Sequence, residues 1–145
     1  MSLVITHTLE IAAPSATVWS VITDLASYPA WNPFVVACTS TLEVGAPIAM
    51  RVRVFPLFAQ PQREQILEHV PGRRLAYGIP IRPLGSLASR RSHEVTPIAP
   101  DRTRYVSHFE LNGWLAPLVA LLLGSRLRHG FTAMSAAIKT RAESL

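Results

Sequence analysis

Cysteine is nearly absent from this chain: Cys38 is the only one in 145 residues. That excludes an internal disulfide and a multi-cysteine metal site, and it fits a reducing compartment such as the cytoplasm. Lysine is as scarce, with Lys139 alone against thirteen arginines. No basic run exceeds two residues, and the charge is spread as pairs such as Arg51/Arg53, Arg73/Arg74, Arg90/Arg91 and Arg126/Arg128. Nucleic-acid binders concentrate charge on one face and interleave exposed aromatics. Despite a net charge of +5, the sequence therefore argues against a nucleic-acid partner.

Long apolar runs are missing too. The longest, Trp114 to Leu123, is ten residues and contains Pro117, too short to cross a bilayer. The opening "MSLVITHTLEIAAP" has no basic segment and alternates apolar with polar, which predicts a strand and not a signal peptide. His7, His69, His93, His108 and His129 make no H-x-H or H-x₃-H spacing, so no metal and no other cofactor is expected. A G-x-S-x-G elbow and a Gly-rich phosphate loop are both lacking.

What remains is the composition of a folded globule, 49% hydrophobic and 16% charged, at the length of one domain. Alternation predicts a first strand over Leu3–Ile11. Pro14 then opens a helix in "APSATVWSVITDL", with Val18, Val21, Ile22 and Leu25 at helical spacing. Asp24 is expected to cap a short second helical turn that Pro29 stops. Six further strands are predicted, over Phe34–Glu43, Pro47–Phe55, Gln62–His69, Arg73–Ile79, Leu87–Thr96 and Thr103–Leu111. The separators "VGA", "PLFAQP", "VPG", "PIRPLGS" and "PIAPDR" read as loops of an antiparallel meander. A long helix over Leu115–Glu143 closes the chain, with Leu127, Phe131, Met134 and Ile138 as its apolar stripe.

Seven antiparallel strands have an apolar face to cover, and the long helix is the largest element available to cover it. A curved sheet round a helix leaves room for an elongated apolar cavity. Three stretches resemble one known family in this order: "IAAPSATVWSVITDLASYPAWNPFV", "SHEVTPIAPDRTRYVSHFELNGWLAPLV" and "RHGFTAMSAAIKTRAE". They are similar to the START-like (SRPBCC) superfamily, nearest its polyketide cyclase/dehydrase and lipid transport group, with Ser135 where that pattern often has Asn. The resemblance implies one START-like domain over residues 1–145, of the α+β helix-grip class. Its sheet has seven strands, curved and antiparallel, wrapped round a long C-terminal helix, with two short helices after the first strand. It also implies binding, with transport as a further role, of a hydrophobic small molecule such as a lipid or polyketide-like compound.

Candidate ligand-binding residues are Trp31, Met50, Val52, Tyr77, Arg91, His93, Tyr105, Ser107, Phe109, Leu118, Leu122 and Phe131. Within this set Arg91, His93, Tyr105 and Ser107 either orient a polar ligand end or simply pair within the sheet. His93 and Tyr105 are the candidates for acid/base work if the protein is a cyclase or dehydratase, the enzyme alternative; a third reading is a lipid or quinone chaperone. His93 and His108 are expected to approach each other across adjacent strands. Gln62, Glu64 and Glu68 are expected to share a solvent-facing side of the fourth strand, and Cys38 to be buried with Phe34, Val36 and Leu42. The apolar start of the last helix needs cover from loops, a second copy of the chain or a membrane surface. Tyr28 and Trp31 lie in a turn stiffened by Pro29 and Pro33, as a structural plug or as a gate to the cavity.

Overall fold

The alternating residues of the first strand put Leu3, Ile5 and Ile11 inside and Val4, Thr6 and Thr8 outside. That pattern is a half-buried strand, and in the computed structural model it is β1, Leu3–Ile11. Residues 3–80 and 83–145 are described; Ile81 and Arg82, in the expected "PIRPLGS" loop, lie outside the described residues. The order continues with α1 (Ser15–Thr23), a 3-10 turn (Leu25–Ser27), α2 (Tyr28–Trp31), β2 (Val35–Ser40) and β3 (Pro47–Phe55). Then come β4 (Phe58–Val70), β5 (Arg74–Gly78), β6 (Ala88–Ala99), β7 (Arg102–Asn112) and α3 (Ala116–Glu143). All neighbours pair antiparallel in the order β1-β7-β6-β5-β4-β3-β2. This is the expected α+β arrangement, a curved seven-stranded sheet with a long C-terminal helix against its inner face.

The helix stripe packs as its spacing requires. Phe131, Met134, Ile138 and Ala142 are buried, and α3 lies against β1, α1, β3 and β7. Deletion of any of these side chains would open a void in a dense core, at about 2–5 kcal/mol for a Leu- or Met-sized residue.

Two prolines lie inside elements rather than at their ends. Pro29 does not stop a helix but lies in the first turn of α2, where its missing N–H has no partner to lose. Pro61 lies inside β4, opposite Arg51 of β3, so the "PLFAQP" loop shrinks to a turn at Pro56 and Leu57. The β4–β5 ladder begins only at Gln65 opposite Gly78. Among the described residues nothing pairs with 58–64 on that side, the kind of place where a strand tolerates proline.

Two bulges reassign faces. Between Ile66 and Glu68 the register of β4 slips by one residue, and a slip of one moves every later side chain to the other face. Glu68 thus points outward, bonded by Arg74 and Arg90 at 2.6 Å each, while Glu64 stays with the inner set. The same device between Val35 and Ala37 buries Val35 with Cys38, and Val36 is only half-buried. Burial pushes the Cys38 thiol up to about 12, which keeps it protonated.

The "YPAWNPF" turn is held by an asparagine. Asn32 Oδ1 accepts from the backbone N–H of Phe34 at 3.0 Å and of Val35 at 2.9 Å, an Asx-type turn into β2. Tyr28 is buried and donates to Ile22 O at 2.5 Å. Trp31 packs edge-on against Tyr28, 5.2 Å between ring centres.

Candidate functional site

The inner face of the sheet carries an unusual load of polar residues. Ser89, Arg91, His93 and Val95 alternate along β6 and are all buried, facing Leu111, Phe109, Ser107 and Tyr105 of β7. The sequence leaves open whether these odd-numbered positions lie inside; the register settles it. His108 consequently lies on the outer face beside Ser92, where Thr6 bonds it at 2.9 Å. The expected approach of His93 and His108 does not occur.

Between this face and α3 lies a cavity of about 280 Å³, at the small end of ligand pockets. The sheet contributes Met50, Val52 and Val54 from β3, Tyr77 from β5, and Phe109 and Leu111 from β7. The helix contributes Val119, Leu123, Leu127 and Phe131, four residues at i+4 steps along one side. Polar side chains also border this apolar space: Gln60, Gln62 and Glu64 from β4, and Ser89 and Arg91 from β6.

Arg91 is buried with no Asp or Glu in contact among the described residues. It donates to Ser107 Oγ at 2.6 Å and to Ser92 O at 3.3 Å, and stacks 4.8 Å above the ring of Phe131. A buried cation with no carboxylate in direct contact is costly, and this cost falls at the cavity wall. Glu64 accepts from Gln62 Nε2 at 3.2 Å. Burial raises its carboxyl above the ordinary value, against the opposing pull of Gln62 and Arg91. It is the carboxylate in a sheltered cleft that acid/base chemistry needs, and the sequence reading placed it in solvent because the bulge that separates it from Glu68 leaves no mark in the residue pattern.

The candidates divide as follows. Met50, Val52, Tyr77, Arg91, Phe109 and Phe131 line the cavity. His93, Tyr105 and Ser107 lie buried behind its wall, bonded to Tyr77, to His93 and to Arg91 respectively. Burial, and then the charge of Arg91, hold His93 well below its ordinary value, so its ring is neutral. Leu118 and Leu122 are corrected outright: they are 52% and 66% exposed on the outer side of α3, one residue out of phase with Val119 and Leu123. Trp31 is corrected as well. It is not a lining residue, and Phe34, three positions on, takes its place.

Phe34 also borders a second pocket of about 440 Å³, with Val54 shared between the two. This outer pocket carries Arg53, Arg126 and His129. No group of three or more His, Cys, Asp or Glu suited to a metal ion occurs among the described residues.

Residues 2–143 match the protein family described as polyketide cyclase / dehydrase and lipid transport. The chain belongs to that family. No curated protein matches it in sequence. Among solved structures it is similar to a START superfamily protein from Mycobacterium smegmatis, at 19% identity, TM-score 0.72 and 98% coverage of both chains. It is also similar to a norcoclaurine synthase point mutant from Thalictrum flavum in complex with a transition state analogue, at 17% identity and TM-score 0.73, covering 99% of this chain and 96% of that one. A third likeness is to the di-domain ARO/CYC StfQ from the steffimycin biosynthetic pathway, at 17% identity and TM-score 0.71, covering 99% of this chain and 50% of that one. At such identities the likeness is one of fold, and family membership rests on the sequence match.

Proposed function

We propose that this protein binds a small, mainly apolar molecule between the sheet and α3. The observation that carries the reading is the cavity itself: apolar walls from both sheet and helix, with Gln62, Glu64 and Arg91 converging on it. Apolar burial supplies affinity at about 25 cal/mol per Å² before ordering costs, and the polar groups fix orientation. Native mass spectrometry of freshly purified protein tests it. A co-purified lipid, isoprenoid or polyketide-like aromatic is the expected result, and a Leu123→Trp variant that fills the cavity should lose it. Retention of the same mass by that variant would refute the site.

A specific observation favours a second reading, an enzyme of the cyclase or dehydratase kind. Glu64, with its raised carboxyl, shares the cavity with the cationic Arg91, a pairing of acid/base and anion-stabilising groups. Glu64 replaces His93 and Tyr105 as the acid/base candidate, because only Glu64 lines the cavity. Here Glu64→Gln should abolish turnover of a bound polyketide-like compound and leave its binding within a few-fold. Turnover that survives the substitution removes this reading.

Transport or chaperone duty would need a surface that meets a membrane or a second copy of the chain. Trp114, Leu118, Leu121 and Leu122 supply an apolar candidate at the start of α3; among the described residues no helix is long and apolar enough to cross a membrane. Flotation with liposomes and a mass measurement in solution separate the two partners.

A further inference from the structure

Behind the cavity wall, three side chains form a buried chain: Tyr77 Oη lies 3.2 Å from His93 Nε2, and His93 Nδ1 lies 2.7 Å from Tyr105 Oη. His93 and Tyr105 are both fully buried. A neutral imidazole has one N–H and one acceptor nitrogen, so the chain admits two proton arrangements. In one, Nδ1 carries the proton and donates to Tyr105. The Tyr105 hydroxyl proton then has no acceptor among the described residues, because His93 is its only hydrogen-bond partner. Leaving such a buried donor unsatisfied is costly.

The other arrangement leaves nothing orphaned at Tyr105. Its hydroxyl donates to Nδ1, the shorter contact, and Nε2–H donates to the oxygen of Tyr77. Tyr77 is then an acceptor towards His93, and its own proton remains uncommitted, since no other partner for this hydroxyl occurs among the described residues. Tyr77 lines the cavity, as Tyr105 does not, so its spare proton can meet water or a bound molecule there, whereas that of Tyr105 cannot.

Arg91 stands directly opposite Tyr77 on the neighbouring strand, on the same inner face. Its guanidinium has five N–H groups. Contacts to Ser107 Oγ, Ser92 O and Met134 Sδ occupy three of them, which leaves two. Two adjacent cavity residues therefore hold spare donors, and among the described residues neither has a protein acceptor for them.

We propose that Tyr77 and Arg91 form a two-donor site for one oxygen of the bound molecule, a carbonyl, phenol or carboxylate oxygen. The cavity then selects oxygenated apolar compounds over hydrocarbons of the same shape. This inference rests on the cavity being a ligand site, and the test separates the two claims.

Naphthalene and 2-naphthol are the probes, titrated at neutral pH, where the naphthol is uncharged. The protein should bind 2-naphthol about tenfold more tightly than naphthalene, as one well-placed hydrogen bond implies. Tyr77→Phe should erase most of that ratio while naphthalene affinity changes less than about twofold. A second measurement, free of any substitution, is the ¹⁵N spectrum of His93, which should show the Nε2-protonated tautomer. If naphthalene binds and 2-naphthol binds no better, the donor site falls and the cavity reading stands. If neither binds, both fall. A ratio that persists in Tyr77→Phe, or an Nδ1-protonated His93, overturns the assignment of Tyr77 as donor.

Discussion

The ring of Phe34 occupies the space that a side chain on Gly130 would need: a Cβ built there would lie 2.2 Å from Phe34 Cε1. The helix is thus notched at Gly130 to seat the residue that separates the inner cavity from the outer pocket. Phe34 is further held edge-on by Phe131, 5.0 Å between ring centres. Gly124, earlier on the same helix, has nothing within 4 Å of its notional Cβ. Gly→Ala in a helix interior ordinarily stabilises by about 1 kcal/mol. Gly124→Ala should show that gain in chemical denaturation. Gly130→Ala should reverse it, with a net loss of about 1–3 kcal/mol as Phe34 is forced from its seat. Equal gains at both positions would mean that Phe34 moves aside freely.

A one-residue step on α3 separates solvent from cavity. Leu122 is 66% exposed, whereas Leu123 lines the cavity. Leu122→Lys should leave stability within about 0.5 kcal/mol of the parent and naphthalene binding unchanged. Leu123→Lys should weaken naphthalene binding at least tenfold, since it brings a charge into an apolar wall. Fluorescence titration and urea denaturation of the two variants together check the phase of the helix.

Glu64 has a pH signature. Burial raises its carboxyl above the ordinary 4.5, so folding favours the protonated form. Its contribution is complete below the unfolded value and is lost as pH rises through the raised one. Glu64→Gln keeps a neutral polar group and removes that loss. Urea midpoints at pH 5 and pH 8 should therefore diverge with rising pH, in favour of the variant. A gap that stays constant would put the carboxyl in bulk water.

Much of the fold was legible because period carries it. The 2-residue alternation of Ile48, Met50 and Val52 and the 3.6-residue stripe through Phe131, Met134 and Ile138 locate strand and helix without help. The order of the elements follows from the same periods and the turn residues between them, and the family motifs agree with it. The site was less legible, for reasons of register. Period places Glu64 and Glu68 on one face, and only the bulge at Leu67 divides them. An apolar run such as Leu121–Leu122–Leu123 has no polar member to mark its outer side, so Leu118 and Leu122 were interchangeable with Val119 and Leu123. Trp31 drew attention by size, yet the turn depends on the small amide of Asn32, and the cavity on Phe34 beyond it.

His93 gives the sharpest acid-side prediction. Its ring is held neutral in the folded state by burial and by Arg91, well below the ordinary 6.5. The unfolded chain takes up a proton as pH falls through 6.5, and the native state does not. A base with a depressed folded value contributes stability above the unfolded value and loses it as pH falls. The slope approaches about 1.4 kcal/mol per pH unit. Glu68 and Glu143, both held below 4.5 by their ion pairs, add losses of the same sense only at lower pH. Glu64 works in the opposite sense over the window between, so the measurement belongs in the Glu64→Gln background. There, denaturation free energy should decline steadily from pH 6.5 towards 5, and the His93 ring resonances should stay those of a neutral imidazole throughout. Titration of those resonances near 6.5 would mean that the Tyr77–His93–Tyr105 chain is open to water.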